Sequence, residues 1–245
     1  MSKPLRLTHD GIRLLLESDG EPYRPRDLDA DLAGQFDRLC EAGLLDDRGR
    51  VAKDARHVVD TLRRPAVRME IEAVVGRTGR RWYAALGDTH AVVLSPPGIA
   101  LGPGVDAATV ASFEEPPPAE FDVQIVPKSW APVAACEWLG VSPREQRSGE
   151  HEVTGPIDVA ALRRRLADAT EPPPPGVTAA LWSQPLLMWG LRTEPGDAHA
   201  LVLDGGATGL WAITETEPAV RLVPLPPYEA WRMILAAITQ AYRAN

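Results

Sequence analysis

Two stretches of this chain follow the same plan. RPAVRMEIEAVVGRTGRRWYAALGDTHAVVL, from Arg64, is answered by QPLLMWGLRTEPGDAHALVLDGGATGLWAI, from Gln184. Each runs from a proline (Pro65; Pro185) through a strand, a Gly-containing turn (Gly76–Gly79; Pro195-Gly196-Asp197) and a second strand. A second glycine turn (Gly87-Asp88; Gly205-Gly206) leads to a third strand, and a Pro-containing connector to a fourth. Offsets stay between 118 and 121 residues, as from Gly87 to Gly205. Self-similarity at a long, fixed period implies one supersecondary unit built twice.

The parallel extends upstream. LRLTHDGIRLLLESDG resembles VQIVPKSWAPVAACEWLG: a short strand, a helix-start signal at Thr8 or Ser129, then a helix closed by Gly20 or Gly140. A hydroxyl at the N-cap and a glycine past the last turn satisfy the backbone groups that a helix leaves unpaired at its ends. A further helix follows in each half, DADLAGQFDRLCEAGLL and DVAALRRRLADA. Another, at 54–64 or 177–183, leads into the meander. In the first of these, Leu32, Phe36, Leu39 and Cys40 recur at helical spacing and make one buried stripe. The expected fold is α/β in the α+β sense: pseudo-two-fold duplicated antiparallel meanders with flanking helices. It is a single domain over 1–245, with repeat one about 5–113, a Pro-rich connector at 114–121 and repeat two about 121–245.

The strands differ in how they are buried. Val67, Met69, Ile71 and Ala73 alternate with Arg68, Glu70 and Glu72, which gives one dry and one wet face. The counterpart Leu186-Leu187-Met188-Trp189-Gly190-Leu191 is apolar on both faces. An offset of 120 sets Met188 against Arg68 and Gly190 against Glu70. The expectation is an exposed apolar patch at Met188 in the second half, and such patches mark partner surfaces. Trp182, Trp189, Trp211 and Trp231, four of the seven tryptophans, fall in the last 64 residues. Trp combines a large apolar area with one polar handle, which suits a binding anchor. The candidate partner-binding residues are therefore Met188, Trp211 and Trp231.

Chemistry is sparse. The histidines, His9, His57, His90, His151 and His199, include no pair at zinc spacing, and Cys40 and Cys136 stand alone. Asp54 and His57 read as a surface pair, and Asp46-Asp47 before Gly49 as turn residues. DGGATG at 204–209 lacks the dinucleotide pattern and precedes a strand, so it reads as a hairpin turn. Neither GxSxG nor a phosphate loop occurs. No catalytic, cofactor or metal residues are expected, and the chain reads as a non-enzyme. A formal charge of −8 with short, scattered Arg clusters argues against nucleic acid. MSKPLRLTHDG has no apolar run of signal-peptide type and no run is long enough for a bilayer, so a cytoplasmic location without membrane insertion is expected.

Ala42–Val51 (AGLLDDRGRV), the helix to Leu62–Pro65 (LRRP), the meander opening RMEIEAVV, its second copy and the closing helix PYEAWRMILAAI (Pro227–Ile238) together resemble the EspG family. These are chaperones associated with type VII (ESX) secretion in actinobacteria, and the resemblance covers essentially the whole chain. It implies a pseudo-symmetric fold with a central antiparallel sheet and helical bundles. It also implies a cytosolic chaperone or adaptor that binds a secreted helical client, such as a PE–PPE-like heterodimer, without catalytic residues. The alternative reading is a small-molecule-binding protein or cryptic enzyme with a pocket between the two halves. A structural or regulatory interaction module unrelated to secretion is a third.

Overall fold

The computed structural model describes residues 5–18, 28–76, 78–96, 110, 111, 113, 119–141, 155–196, 198–216 and 219–245. The expected cap at Gly20, most of the Pro-rich connector (114–118) and His151 lie outside the described residues. In chain order the elements are β1 (Leu5–Thr8), α1 (His9–Glu17), α2 (Ala30–Glu41), α3 (Arg56–Arg63), β2 (Val67–Val75), β3 (Thr78–Leu86), β4 (His90–Ser95) and β5 (Glu120–Pro127). There follow α4 (Ala131–Trp138), β6 (Ile157–Asp158), α5 (Val159–Ala167), α6 (Ala179–Trp182), β7 (Leu187–Glu194), β8 (His199–Asp204), β9 (Leu210–Thr216), β10 (Ala219–Leu225) and α7 (Pro227–Ala244).

The fold is mixed α+β. The ten strands form one antiparallel sheet in the order β1-β5-β4-β3-β2-β7-β8-β9-β10-β6. Neighbours in sequence pair through hairpin-like turns along β2-β3-β4 and β7-β8-β9, as the glycine turns require. One element departs from the sequence expectation. Residues 121–127 were expected to open the second repeat as the counterpart of β1. Instead β5 pairs on one side with β4 (Val93↔Gln124) and on the other with β1 (Leu5↔Val123). It is the fourth strand of its meander, the place that β10 holds after β9, and β10 in turn pairs with the short β6.

The chain divides into two compact units that are not the two sequence halves. The first comprises Met1–Arg68, Trp82–Gly98 and Pro118–Ala131. Here α1, α2 and α3 cover one side of the strands, with Leu14, Leu15, Phe36, Leu39, Val58 and Val59 packed on Leu7, Val92 and Val123. Thr8 caps α1 by accepting from the Gly11 amide at 3.1 Å, and Asp29 caps α2 by accepting from the Leu32 amide at 2.9 Å. Gly11 has a packing reason, since a Cβ there would stand 2.4 Å from Oε1 of Gln35, which itself accepts from the Thr8 amide. In LLDDRGRV, Asp46 accepts from the amides of Arg48 and Arg50, both at 2.9 Å, and these bonds hold its carboxyl below the usual carboxylate range.

The second unit comprises Met69–Arg81, Ile99–Pro117 and Pro132–Asn245. One side of its strands carries Leu203, Trp211, Val220 and Leu222, covered by Leu162 of α5 and by Leu181 and Trp182 of α6. Arg165, buried on α5, donates to the carbonyls of Trp182 at 2.7 Å and Gln184 at 2.6 Å, which ties α5 to the end of α6. Leu187, Trp189 and Leu191 are buried on the opposite face of β7, and α7 packs against that strand through a stripe of Ala230, Ile234, Ala237, Ile238 and Ala241. Gly140, at a φ of 63°, closes α4 while the Val141 amide reaches back to the Cys136 carbonyl, as expected of a glycine past the last turn.

Both second turns of the meanders need glycine because a helix lies against them. A Cβ on Gly87 would stand 2.7 Å from Oγ1 of Thr61 on α3; one on Gly205 would stand 2.6 Å from Cδ1 of Leu181 on α6 and 2.2 Å from Oγ1 of Thr208. Gly34, inside α2, has no atom within 4 Å of a notional Cβ. Chemical denaturation is expected to show Gly205→Ala destabilised by about 1–3 kcal/mol through overpacking. Gly34→Ala is expected to gain about 0.5–1 kcal/mol from helix propensity.

Candidate interaction surface

Among the described residues, six large apolar side chains are exposed, and they cluster after two strands: five near the passage into a helix, and Leu235 midway along α7. Ile125 and Trp130 flank the passage from β5 to α4; Val223, Tyr228 and Trp231 flank the passage from β10 into α7. The local sequences explain the geometry. VQIVP (Val123–Pro127) and VRLVP (Val220–Pro224) run past the short outer strands β1 and β6, and each carries a proline, which has no amide hydrogen for a ladder, at or near the end of its strand. β6 pairs only with Ala219 and Val220, so the remaining outer edge of β10 has no strand beside it among the described residues. Arg221 and Pro224 blunt that edge against further pairing. Pro226 and Pro227 then start α7, where a fixed φ suits the first helical position.

The α7 corner is the larger of the two. Tyr228, Trp231 and Leu235 follow one another at i, i+3 and i+7, so they form a stripe along the flank of the helix, with Trp231 bordering the buried Ile234 and Ile238. They are 62%, 40% and 38% exposed. Beside them Arg232, Ala236, Thr239, Gln240 and Arg243 continue the exposed outer face of the helix. Arg232 pairs with Glu229 at 3.1 Å. Both partners are solvated, so the pair contributes only about 0.3–0.5 kcal/mol. The Tyr228 hydroxyl hydrogen-bonds Glu229, and that bond and the carboxylate charge push its ionisation upward. Arg243 has no carboxylate partner among the described residues.

Of the three residues singled out in the sequence, only Trp231 lies on this surface. Trp211 is 3% exposed and sits in the core beneath α5 and α6. Met188 is half-buried and packs against the same core, in one row across the sheet with Leu203 and Trp211. The expected bare patch around it does not form, because helices from 159–182 cover that side of β7. Gly190 follows from crowding: Cδ2 of Leu201 would stand 3.1 Å from its Cβ. Farther along this face the polar character returns, since Arg192 pairs with Glu70 at 3.0 Å, and Arg81 pairs with Glu72 at 3.2 Å. Tyr228 and Leu235 escaped the sequence reading, although their helical spacing to Trp231 was there to be used.

Elsewhere the titratable groups are dispersed. The rings of His57 and His90 lie 4.8 Å apart, with Thr89 Oγ1 2.8 Å from His90 Nδ1. Asp54 stands in the short turn of 3-10 helix before α3. Among the described residues no group of three or more His, Cys, Asp or Glu is arranged to hold a metal ion. No helix among them is long and apolar enough to cross a membrane. No protein-family model matches the chain, and no curated protein matches it.

Two measurements follow. Trp211→Ala is expected to cost about 3–5 kcal/mol in a denaturation curve, whereas Trp231→Ala should stay within about 0.5 kcal/mol of the parent. Burial pushes the Cys136 thiol from 9.0 to about 11. In the folded protein its thiolate is then roughly one part in a thousand at pH 8. Iodoacetamide at that pH should leave Cys136 unmodified until denaturant is added. The fold holds this proton more tightly than the unfolded chain, so the associated stability is complete below pH 9.0 and is lost as pH rises toward about 11.

Proposed function

We propose that this chain is an EspG-like, substrate-specific chaperone or adaptor of a type VII secretion system. It acts in the cytosol without catalysis and docks a secreted helical client of the PE–PPE kind on the α7 corner. The observation that carries the reading is the stripe Tyr228–Trp231–Leu235, three large apolar side chains held in water by a helix whose other face is committed to the fold. Such a stripe fits one apolar face of a helical partner, as grooves that take amphipathic helices do. A client apolar tip would be shielded from water there before export.

A duplicated fold accompanies this proposal, with boundaries that follow the sheet. One copy runs from β1 through α1–α3 and β2–β5 into α4; the other runs from β6 through α5, α6 and β7–β10 into α7. Three features support it. The strand order reads the same outward from β2 and from β7. The same turn glycine lies under the same helix in both copies, at Gly87 and Gly205. The VQIVP and VRLVP corners also correspond.

Co-expression with tagged candidate clients, drawn from small helical secreted pairs, tests the reading. The parent is expected to co-purify with its client, and Tyr228→Ala/Trp231→Ala to weaken the complex about thirtyfold or more while melting like the parent. Binding that is indifferent to the double substitution would move the client off α7 and remove the observation on which the proposal rests.

A further inference from the structure

We propose that His57 and His90 form a binding site for a divalent transition ion of the zinc and copper class. One imidazole comes from α3 and one from the start of β4, with water in the remaining positions. The two rings lie 4.8 Å apart, centroid to centroid, and are tilted by 44°. An ion about 2.1 Å from one nitrogen of each ring, with the two bonds between a right and a tetrahedral angle, sets the centroids roughly 4.5–5.2 Å apart. The observed spacing falls inside that range, so binding asks for rotation of side chains and not for movement of α3 or β4.

The fold holds both backbones in place. His57 and Thr61 stand four residues apart on α3 and so share a face. Thr61 lies against the turn between β3 and β4, where a Cβ on Gly87 would stand 2.7 Å from its Oγ1. The Gly87 amide closes that turn by donating to the His90 carbonyl at 2.8 Å. Val58 and Val59 anchor the other side of the helix in the core of the first unit, to which both histidines belong.

The remaining nitrogen of His90 also has a role. Nδ1 lies 2.8 Å from Oγ1 of Thr89. With Nδ1–H donating to that hydroxyl, Nε2 keeps its lone pair for an ion, and metal-bound histidines are commonly oriented through their other nitrogen in this way. Among the described residues neither ring makes another hydrogen bond or an ion pair, so His57 does not pair with Asp54. Two imidazoles without a carboxylate suit borderline transition ions, whereas calcium and magnesium take oxygen ligands. The general order of divalent affinities places copper above zinc here.

The tag-free full chain tests the site, by calorimetric titration with Zn²⁺ and Cu²⁺ and by electron paramagnetic resonance of the Cu²⁺ form. The parent is expected to bind one ion per chain, Cu²⁺ more tightly, and to melt at a higher temperature with Zn²⁺, since the ion favours the folded pair. Its Cu²⁺ spectrum should show coupling to two nitrogens. His57→Gln and His90→Gln should each weaken binding about tenfold or more. They should also lose the zinc-dependent rise in melting temperature while melting like the parent without metal. His199→Gln, at an exposed histidine of β8 in the second unit, should bind as the parent does. A parent that binds neither ion, or variants of His57 and His90 that bind as tightly as the parent, would overturn the proposal. So would binding lost in His199→Gln instead, or a spectrum without two-nitrogen coupling, a readout on the parent that stands even where a variant is unstable. Failure here leaves the client reading untouched, since that one concerns α7.

Discussion

At its start β7 is buried on one face and half-buried on the other, and the lack of room for a formal charge there organises the second unit. Leu187, Trp189 and Leu191 fill one face, and α7 packs on this strand with a stripe of small and β-branched residues. Met188 fills the other face, under helices that exist to cover it. The strand's polarity returns only at Arg192 and Glu194, where cover ends. Because α7 meets β7 with alanines, it lies close, and its bulky residues, Tyr228, Trp231 and Leu235, are left to the outside. The exposed stripe is thus a by-product of how the core is closed, available to whichever partner fits it.

How much of this could be read beforehand depended on whether the relevant neighbours were close in sequence. The alternation in β2, the cap at Thr8, the turn at Asp46–Gly49 and the glycine closing α4 are local, and they stand as the residues suggest. The burial of Met188 and Trp211 was not legible in the same way. Comparing one strand with its counterpart registers lost charges, but it does not show which helix lies overhead, and here α5 and α6 do. Met188 and Gly190 stand where α5 and α6 partly cover the strand, and partial cover leaves the same sequence signal as a docking face.

The place of β5 was hidden for a different reason. In the proposed duplication VQIVP answers VRLVP across 97 residues, from Val123 to Val220, whereas the meander sequences align at an offset of about 120. The connection from Ser95 to Glu120 is much longer than that from Thr216 to Ala219. A search at constant offset steps over any feature that follows such an insertion. Edge strands are also short, four residues in β1 and two in β6, too few for periodicity to separate strand from turn.

The pairing of β1 with β5 has a consequence for the order in which the protein is made. Leu5 finds its partner in Val123, so β1 waits during synthesis for more than a hundred further residues before it has a neighbour. Until then Leu7, which belongs to the core of the first unit, has no sheet to lie on, and α1–α3 have only part of theirs. Closing so long a loop is slow and entropically unfavourable. The nascent chain therefore carries an amphipathic helical layer whose sheet is incomplete until β5 arrives, a state with transiently exposed apolar surface.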